Sequence, residues 1–448
     1  MKHVRRMLAL LMCLFLLPAG TLAESQRLPL QDAHKVTLTQ LGEQQANGSA
    51  VYRWDIVTAQ ESVTRELNAL ANAYVQELAP ALKKPAKNME SRLDVNILHS
   101  RTGLSWMSFM VQSRYVLNKE VQDVRFTTRT YDMSTGERLL LTDLFPAGSE
   151  AWPLLEQAVR EGVSAYYPDL GADTNVLTTA CTREAIKVMD FTLHGMSLVL
   201  HLHAADFYPG KQQLIEIPLY YPEIRPFMTE KAQCETDNLA YYDTVALTYD
   251  DGPNGYVTRE MLNALMLCGV RATFFPVGER MRNHAQYILR EHDEGHTVGT
   301  HNYEHVYANK VSAERLQALK NRVDKVHLEL LGITPKVARA PGGIWGPMTR
   351  AKLGWPLMQW TSQGSDMLED RNARSISDAV VGTADDGGII LMHDMKKISV
   401  DASALFIPRL QEKGYMFLTI EELFAKDGVV LTPDTVYWRC TDGKTDDD

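Results

Sequence analysis

Two carboxylates stand side by side at Asp250-Asp251, at the end of the apolar run 245–249 and just ahead of a Gly252-Pro253 break. Adjacent carboxylates repel, so a metal ion or a catalytic proton is needed to stabilise them. Further along, His301-Asn302-Tyr303-Glu304-His305 sets two imidazoles four residues apart. One carboxylate and two imidazoles, Asp251 with His301 and His305, suit a zinc-like ion that keeps open positions, the catalytic rather than the structural arrangement. Such an ion polarises a carbonyl and lowers the pKa of its water to about 7. Asp250, next door, could take that water's proton. His393, at the end of the apolar run 389–392, is a second titratable group. Imidazole changes charge near neutral pH, which suits a general acid. The pattern points to a metal hydrolase.

Each signal has an ordinary counterpart. An Asp-Asp pair alone is usually a solvated turn, and His-x-x-x-His is often two surface residues. Residues 301–305 also fit the inverted zincin pattern H-x-x-E-H, with Glu304 as base. That pattern needs a long helix, whereas Gly295 to Thr300 reads as strand and turn. What separates a site from coincidence is placement on the elements. Strand-like pieces fall at 245–249, 272–276, 297–299, 336–340, 357–361, 389–392 and 416–420. Helical pieces fall at 257–267, 280–294, 313–331, 375–383 and 402–412. This alternation predicts an α/β domain whose parallel sheet is closed or nearly closed into a barrel. Functional residues of such barrels gather at the C-terminal ends of the strands. Asp250, Asp251, His301, Arg339, Asp366 and His393 all fall there.

The first half patterns differently. Alternating runs at 105–111, 124–131 and 196–203, with helices at 61–82 and 152–166, predict an α+β domain with an antiparallel sheet. His201 and His203 share one strand face there, read as a solvated face rather than a metal pair. The polar stretch 229–239 is the expected seam, giving a first domain at 24–236 and a second at 237–448.

Residues 1–23 read as a cleaved secretory signal, with an uncleaved anchor as the alternative. Lys2, Arg5 and Arg6 precede the apolar run 7–17, and Thr21-Leu22-Ala23 ends it in small residues. The expected location is therefore extracytoplasmic, with no membrane helix in the mature chain. The charge of −10 over 448 residues argues against a nucleic-acid partner, which needs a basic face. Hydrophobic content of 45% is that of a soluble globular protein. Outside the leader, Cys268 reads as a buried free thiol, and a Cys234–Cys440 bridge is expected because domain termini often lie close together.

At these residues the region 240–430 resembles the polysaccharide deacetylases of carbohydrate esterase family 4, the NodB-homology domains. Thr248 to Pro253 matches the family's T-F-D-D-G-P, His301 to His305 its H-S/T-x-x-H, Arg339 to Gly343 its R-x-P-Y-G, and Leu391 to His393 its L-x-H. The resemblance implies a distorted (β/α) barrel, Asp250 as general base, and Asp251, His301 and His305 as ligands. It further implies Arg339 holding Asp250 ionised, the Gly342 amide binding the oxyanion, His393 as general acid and Asp366 orienting it. The family's D-x-x-D-W keeps only its second Asp here: Gln363 and Met367 replace the first Asp and the Trp, and Gly342 replaces the groove-wall Tyr of the third motif. The implied activity is removal of N-acetyl groups from peptidoglycan first and chitin-type glycans second. Zinc is the expected metal, with cobalt or nickel fitting the same ligands. The alternatives are a glycan- or lysozyme-binding wall protein that no longer turns over, and an O-acetyl esterase on xylan or wall sugars. The segments 131–145 and 191–218 resemble the extracellular domain of lysozyme-sensing anti-sigma factors (domain of unknown function 3298). This second resemblance implies contact with wall glycan or a lysozyme-like protein.

Overall fold

The computed structural model describes residues 27–440; the leader at 1–23 lies outside the described residues. The first half is built on a six-stranded sheet in sequence order. Its strands are β1 (Val36–Gln44), β2 (Ala50–Thr58), β3 (Ser91–Thr102), β4 (Trp106–Leu117), β5 (Glu120–Asp132) and β6 (Glu137–Leu139). Helix α1 (Glu61–Leu78) connects β2 to β3. That crossover makes β2–β3 a parallel pair in an otherwise antiparallel sheet. Val63, Leu67 and Ala71 form one stripe of α1, set by their i, i+4 spacing, and pack on Leu93, Val95, Ile97, Phe109 and Val111. Helix α2 (Ala151–Ala165) precedes a second, three-stranded antiparallel sheet of β7 (Asp190–Leu193), β8 (Ser197–His203) and β9 (Leu214–Tyr220). Trp152, Leu155, Val159 and Val163 on α2 belong to the same core as Leu198, Leu200 and Ile217 of that sheet.

The second half is the expected α/β domain. Strand β10 (Asp243–Asp250) is central, between β11 (Thr273–Phe275), which leads to β12 (Thr297–Val298), and β15 (Gly388–His393). The remaining pieces are β13 (Leu357–Met358), β14 (Ser362–Gln363), β16 (Tyr415–Leu418) and β17 (Val436–Tyr437). All of these pairings are parallel. Bridges Thr300↔Ala338 and Ala338↔Leu357 carry the ring on from β12 toward β13. The expected strand at 336–340 shrinks to that bridge at Ala338, between Pro335 and Pro341, neither of which has an N–H for a ladder. Helices α3 (Gly255–Cys268), α4 (Ala285–Asp293), α5 (Ala313–Leu331), α6 (Ala373–Thr383) and α7 (Lys397–Glu412) accompany the strands. Among the described residues, no helix is long and apolar enough to cross a membrane.

The stretch 229–239 carries a short helix, Glu230–Glu235, and buried Asn238 accepts from Gly103 N at 2.7 Å and donates to Gly195 O at 2.7 Å. Three expectations need correction. Cys234 and Cys440 are both free. Cys234 is exposed on that short helix, whereas Cys440 is buried in the barrel's core and donates to Asp427 Oδ2 at 3.1 Å. Cys268 is also free but only partly buried. His201 does not face solvent: it is buried, bonded to Thr192 Oγ1 at 2.7 Å, because that strand face turns toward the second domain.

Candidate active site

Strand β10 delivers both carboxylates. Asp250 is its last residue, in register with Phe275 on one side and His393 on the other. Asp251 follows in the left-handed region at φ 74° and so turns away from Asp250. Arg280 fixes that turn by donating to Asp251 O at 2.6 Å. His301 comes just after the Thr300 bridge, and Asn302 then takes φ 68°, another left-handed step before His305. The sequence-expected ligands meet: His301 Nε2 and His305 Nε2 lie 3.5 and 3.2 Å from Asp251 Oδ1. One donor atom from each residue falls within 4.8 Å of the others. Asp251 Oδ1 is buried and makes no hydrogen bond, as a carboxylate oxygen aimed at a cation would be. Burial holds His301 below the ordinary imidazole pKa against the pull of Asp250 and Asp251. The neutral ring is the form that binds metal. These residues therefore fit a divalent ion.

Arg339 is fully buried and spends its guanidinium on four acceptors. It bonds Asp250 Oδ1 at 2.9 Å, Thr248 Oγ1 at 2.7 Å, Met358 O at 3.1 Å and Gln359 O at 3.0 Å. A charge so tied is a fixed support for one Asp250 oxygen. Opposite it, His393 Nδ1 pairs with Asp366 Oδ1 at 2.9 Å, and Asp366 Oδ2 accepts from His393 N at 3.0 Å. Ser399 on α7 also donates to Asp366. Burial lowers the His393 pKa, but the Asp366 bond and the charges of Asp366, Asp250 and Asp251 outweigh it and raise the ring above its ordinary value.

Gly342 sits in a short 3-10 turn at φ 64°. The space that a side chain at 342 would take is not empty. The Tyr307 ring fills that space, since a Cβ at 342 would lie 2.7 Å from its Cε1. Gln363 and Met367 are both exposed, and Met367 O accepts from Lys396 Nζ at 2.8 Å. Glu304 is no base. Its carboxylate is held by Arg315 and Arg322 at 2.7 Å each, and 301–305 is not helical. The sequence reading missed Arg280, Thr248, Ser399 and Tyr307. Of these only Thr248 carried a signal, lying two residues before Asp250 on the same strand face.

A parallel α/β barrel with a carboxylate–imidazole cluster and an opposed Asp–His pair at its strand ends defines a hydrolase class. The family model described as polysaccharide deacetylase matches residues 241–354. The peptidoglycan-N-acetylglucosamine deacetylase PgdA of Listeria monocytogenes is 33% identical over 182 residues, covering 41% of this chain and 39% of the relative. A peptidoglycan-N-acetylglucosamine deacetylase of Bacillus cereus is 32% identical over 187 residues, covering 40% of this chain and 87% of the relative. The solved peptidoglycan deacetylase PdaC of Bacillus subtilis is similar at 30% identity and a TM-score of 0.40, over 41% of this chain and 91% of that one. The chain thus spans about two-fifths of the Listeria relative's length. The chain belongs to the polysaccharide deacetylase family, through its second half.

Proposed function

We propose that this chain hydrolyses N-acetyl groups on amino-sugar polymers outside the cytoplasm, peptidoglycan first and chitin-type glycans second. The observation that carries this reading is the register of β10 with β15, which sets Asp250 against His393 beside the Asp251, His301 and His305 cluster. Zinc is the proposed ion, with cobalt or nickel as substitutes. Bound there, it would supply Lewis-acid polarisation of the acetyl carbonyl and acidify a water.

The chain's own groups do the rest. Asp250, oriented by Arg339, removes a proton from the water that adds to the carbonyl carbon. The Gly342 amide donates to the carbonyl oxygen as it gains charge. His393, whose Nδ1 is occupied by Asp366, presents Nε2 and protonates the amine nitrogen as the C–N bond breaks. Acetate and a free amino sugar leave. The division at 236/237 separates this catalytic unit from a first domain that we propose touches wall glycan or a wall-directed protein.

The test is acetate release across peptidoglycan fragments, chitooligosaccharides and acetylated xylan. Asp250→Asn should cut release by about 10³-fold while stoichiometric metal stays bound. Near-normal turnover by that variant would sink the base assignment. Preference for the xylan ester over every amide would move the protein to the esterase reading.

A further inference from the structure

Tyr307 is an aromatic side chain left 47% exposed at the edge of the site. Its ring lies 6.1 Å from that of His305, inclined at 64°. On the other side it abuts the Gly342 turn so closely that a Cβ at 342 would fall within 2.7 Å of it. The next glycine does the same for a second ring: a Cβ at Gly343 would come within 3.1 Å of Trp360 Cη2. The Gly342–Gly343 turn therefore runs between two aromatic rings, the half-buried Trp360, 5.7 Å from the Arg339 guanidinium, and the exposed Tyr307. The backbone under Tyr307 is fixed, with Tyr307 O accepting from Lys310 N at 2.9 Å and Ala308 fully buried.

An exposed ring held this firmly beside a ligand and an oxyanion donor is a surface for something flat and half-apolar. The C–H face of a pyranose is such a surface, and binding clefts pair one apolar wall with a few fixed polar groups. We infer that Tyr307 is the platform on which a neutral N-acetylated pyranose ring sits while its acetyl group enters the site. Gly342 makes room for that platform, and Gly343 makes room for Trp360. This assignment rests on the deacetylase reading above and names the residue that selects the sugar.

Kinetics on chitotetraose test it. Tyr307→Ala should raise KM about fivefold to tenfold, with the loss carried by KM rather than kcat. Tyr307→Phe and Tyr307→Trp should keep KM near the wild-type value, because the ring and not the hydroxyl does the work. An unchanged KM in Tyr307→Ala, or a Tyr307→Phe as impaired as alanine, overturns the platform. Should the wild-type protein release no acetate from any acetylated glycan, the deacetylase reading fails by itself. Chitotetraose affinity by calorimetry then decides: weaker binding by Tyr307→Ala supports the platform, and equal binding removes it.

Discussion

His393 answers to three carboxylates at once. Burial alone would lower its pKa, and Asp366, Asp250 and Asp251 together raise it. In the general-acid role proposed for it, His393 must carry its proton, so the basic limb of the kcat/KM profile should follow this pKa. Asp366→Asn removes the nearest charge and keeps the side chain's shape. The limb should then move to lower pH by about one unit, with metal content unchanged. An unmoved limb would assign the proton to another group. Most of the residues in this constellation were legible in the sequence because each sits where a strand stops, and strand ends can be found from hydrophobic runs. Arg280, Ser399 and Tyr307 were not. Each acts across a gap closed only by folding, as when the ring at 307 meets the glycine at 342.

At the scale of elements, the turn after β10 is the tightest part of the site. Gly252 packs against the buried Asp394, and a Cβ there would fall 2.2 Å from Asp394 Oδ1. Asp394 cannot step aside freely, because Thr258 on α3 holds its other oxygen. Gly252→Ala should therefore displace the Asp251 turn and lower stability by about 1–3 kcal/mol. Metal affinity should fall with it, and equilibrium dialysis alongside thermal melting would read both. A variant that melts lower but binds metal normally would separate the turn from the ligands. The elements themselves were legible where a local signal existed. Helix α5 runs from Ala313 to Leu331 as its periodicity predicts, because Ser312 caps its start and Gly332, at φ 77°, ends it. The expected helix at 280–294 is instead divided into one α-helical turn (Gly278–Met281), a 3-10 segment (Arg282–His284) and α4. The polar residues of β3 and β4 gave no hint of their partners. Asn96, Gln112 and Arg114 look like a solvent face in the sequence, yet they bond Glu294 and Asp293 across the two domains.

Across the whole molecule, that polar contact is the feature with a consequence for pH. Arg114 and Asp293 form a buried pair at 2.7 Å, and Arg271 pairs with Glu422 at 2.5 Å. Around them, His99, His194, His201 and His296 line one cavity with Glu216, Arg271 and Asp293. Burial drives the imidazoles down, helped at His194, His201 and His296 by the Arg271 charge. His99 falls to about 4, His201 and His296 to about 3, and His194 well below its ordinary value. A depressed histidine stabilises the fold above its unfolded pKa, near 6.5, and that stability is lost as pH falls toward the folded value. Three buried carboxyls work the other way. Burial raises Glu216 to about 7, Asp394 to about 6 and Glu291 well above the carboxyl range, so their stabilisation is present below about 4 and fades as pH rises through their folded pKa. Burial lowers His292, but its bond to Asp293 and the charges of Asp293 and Glu216 outweigh that and raise it, so it favours the protonated fold as pH falls toward 6.5. Between pH 6.5 and 5 His292 is protonated in both states and drops out, the four imidazoles outnumber the three raised carboxyls, and each unbalanced proton is worth about 1.4 kcal/mol per pH unit. The thermal midpoint should therefore drop by several degrees from pH 7 to pH 5. His201→Gln, which can still bond Thr192, should flatten that fall. A midpoint that holds or rises on acidification would mean that the buried imidazoles do not govern the junction between the domains.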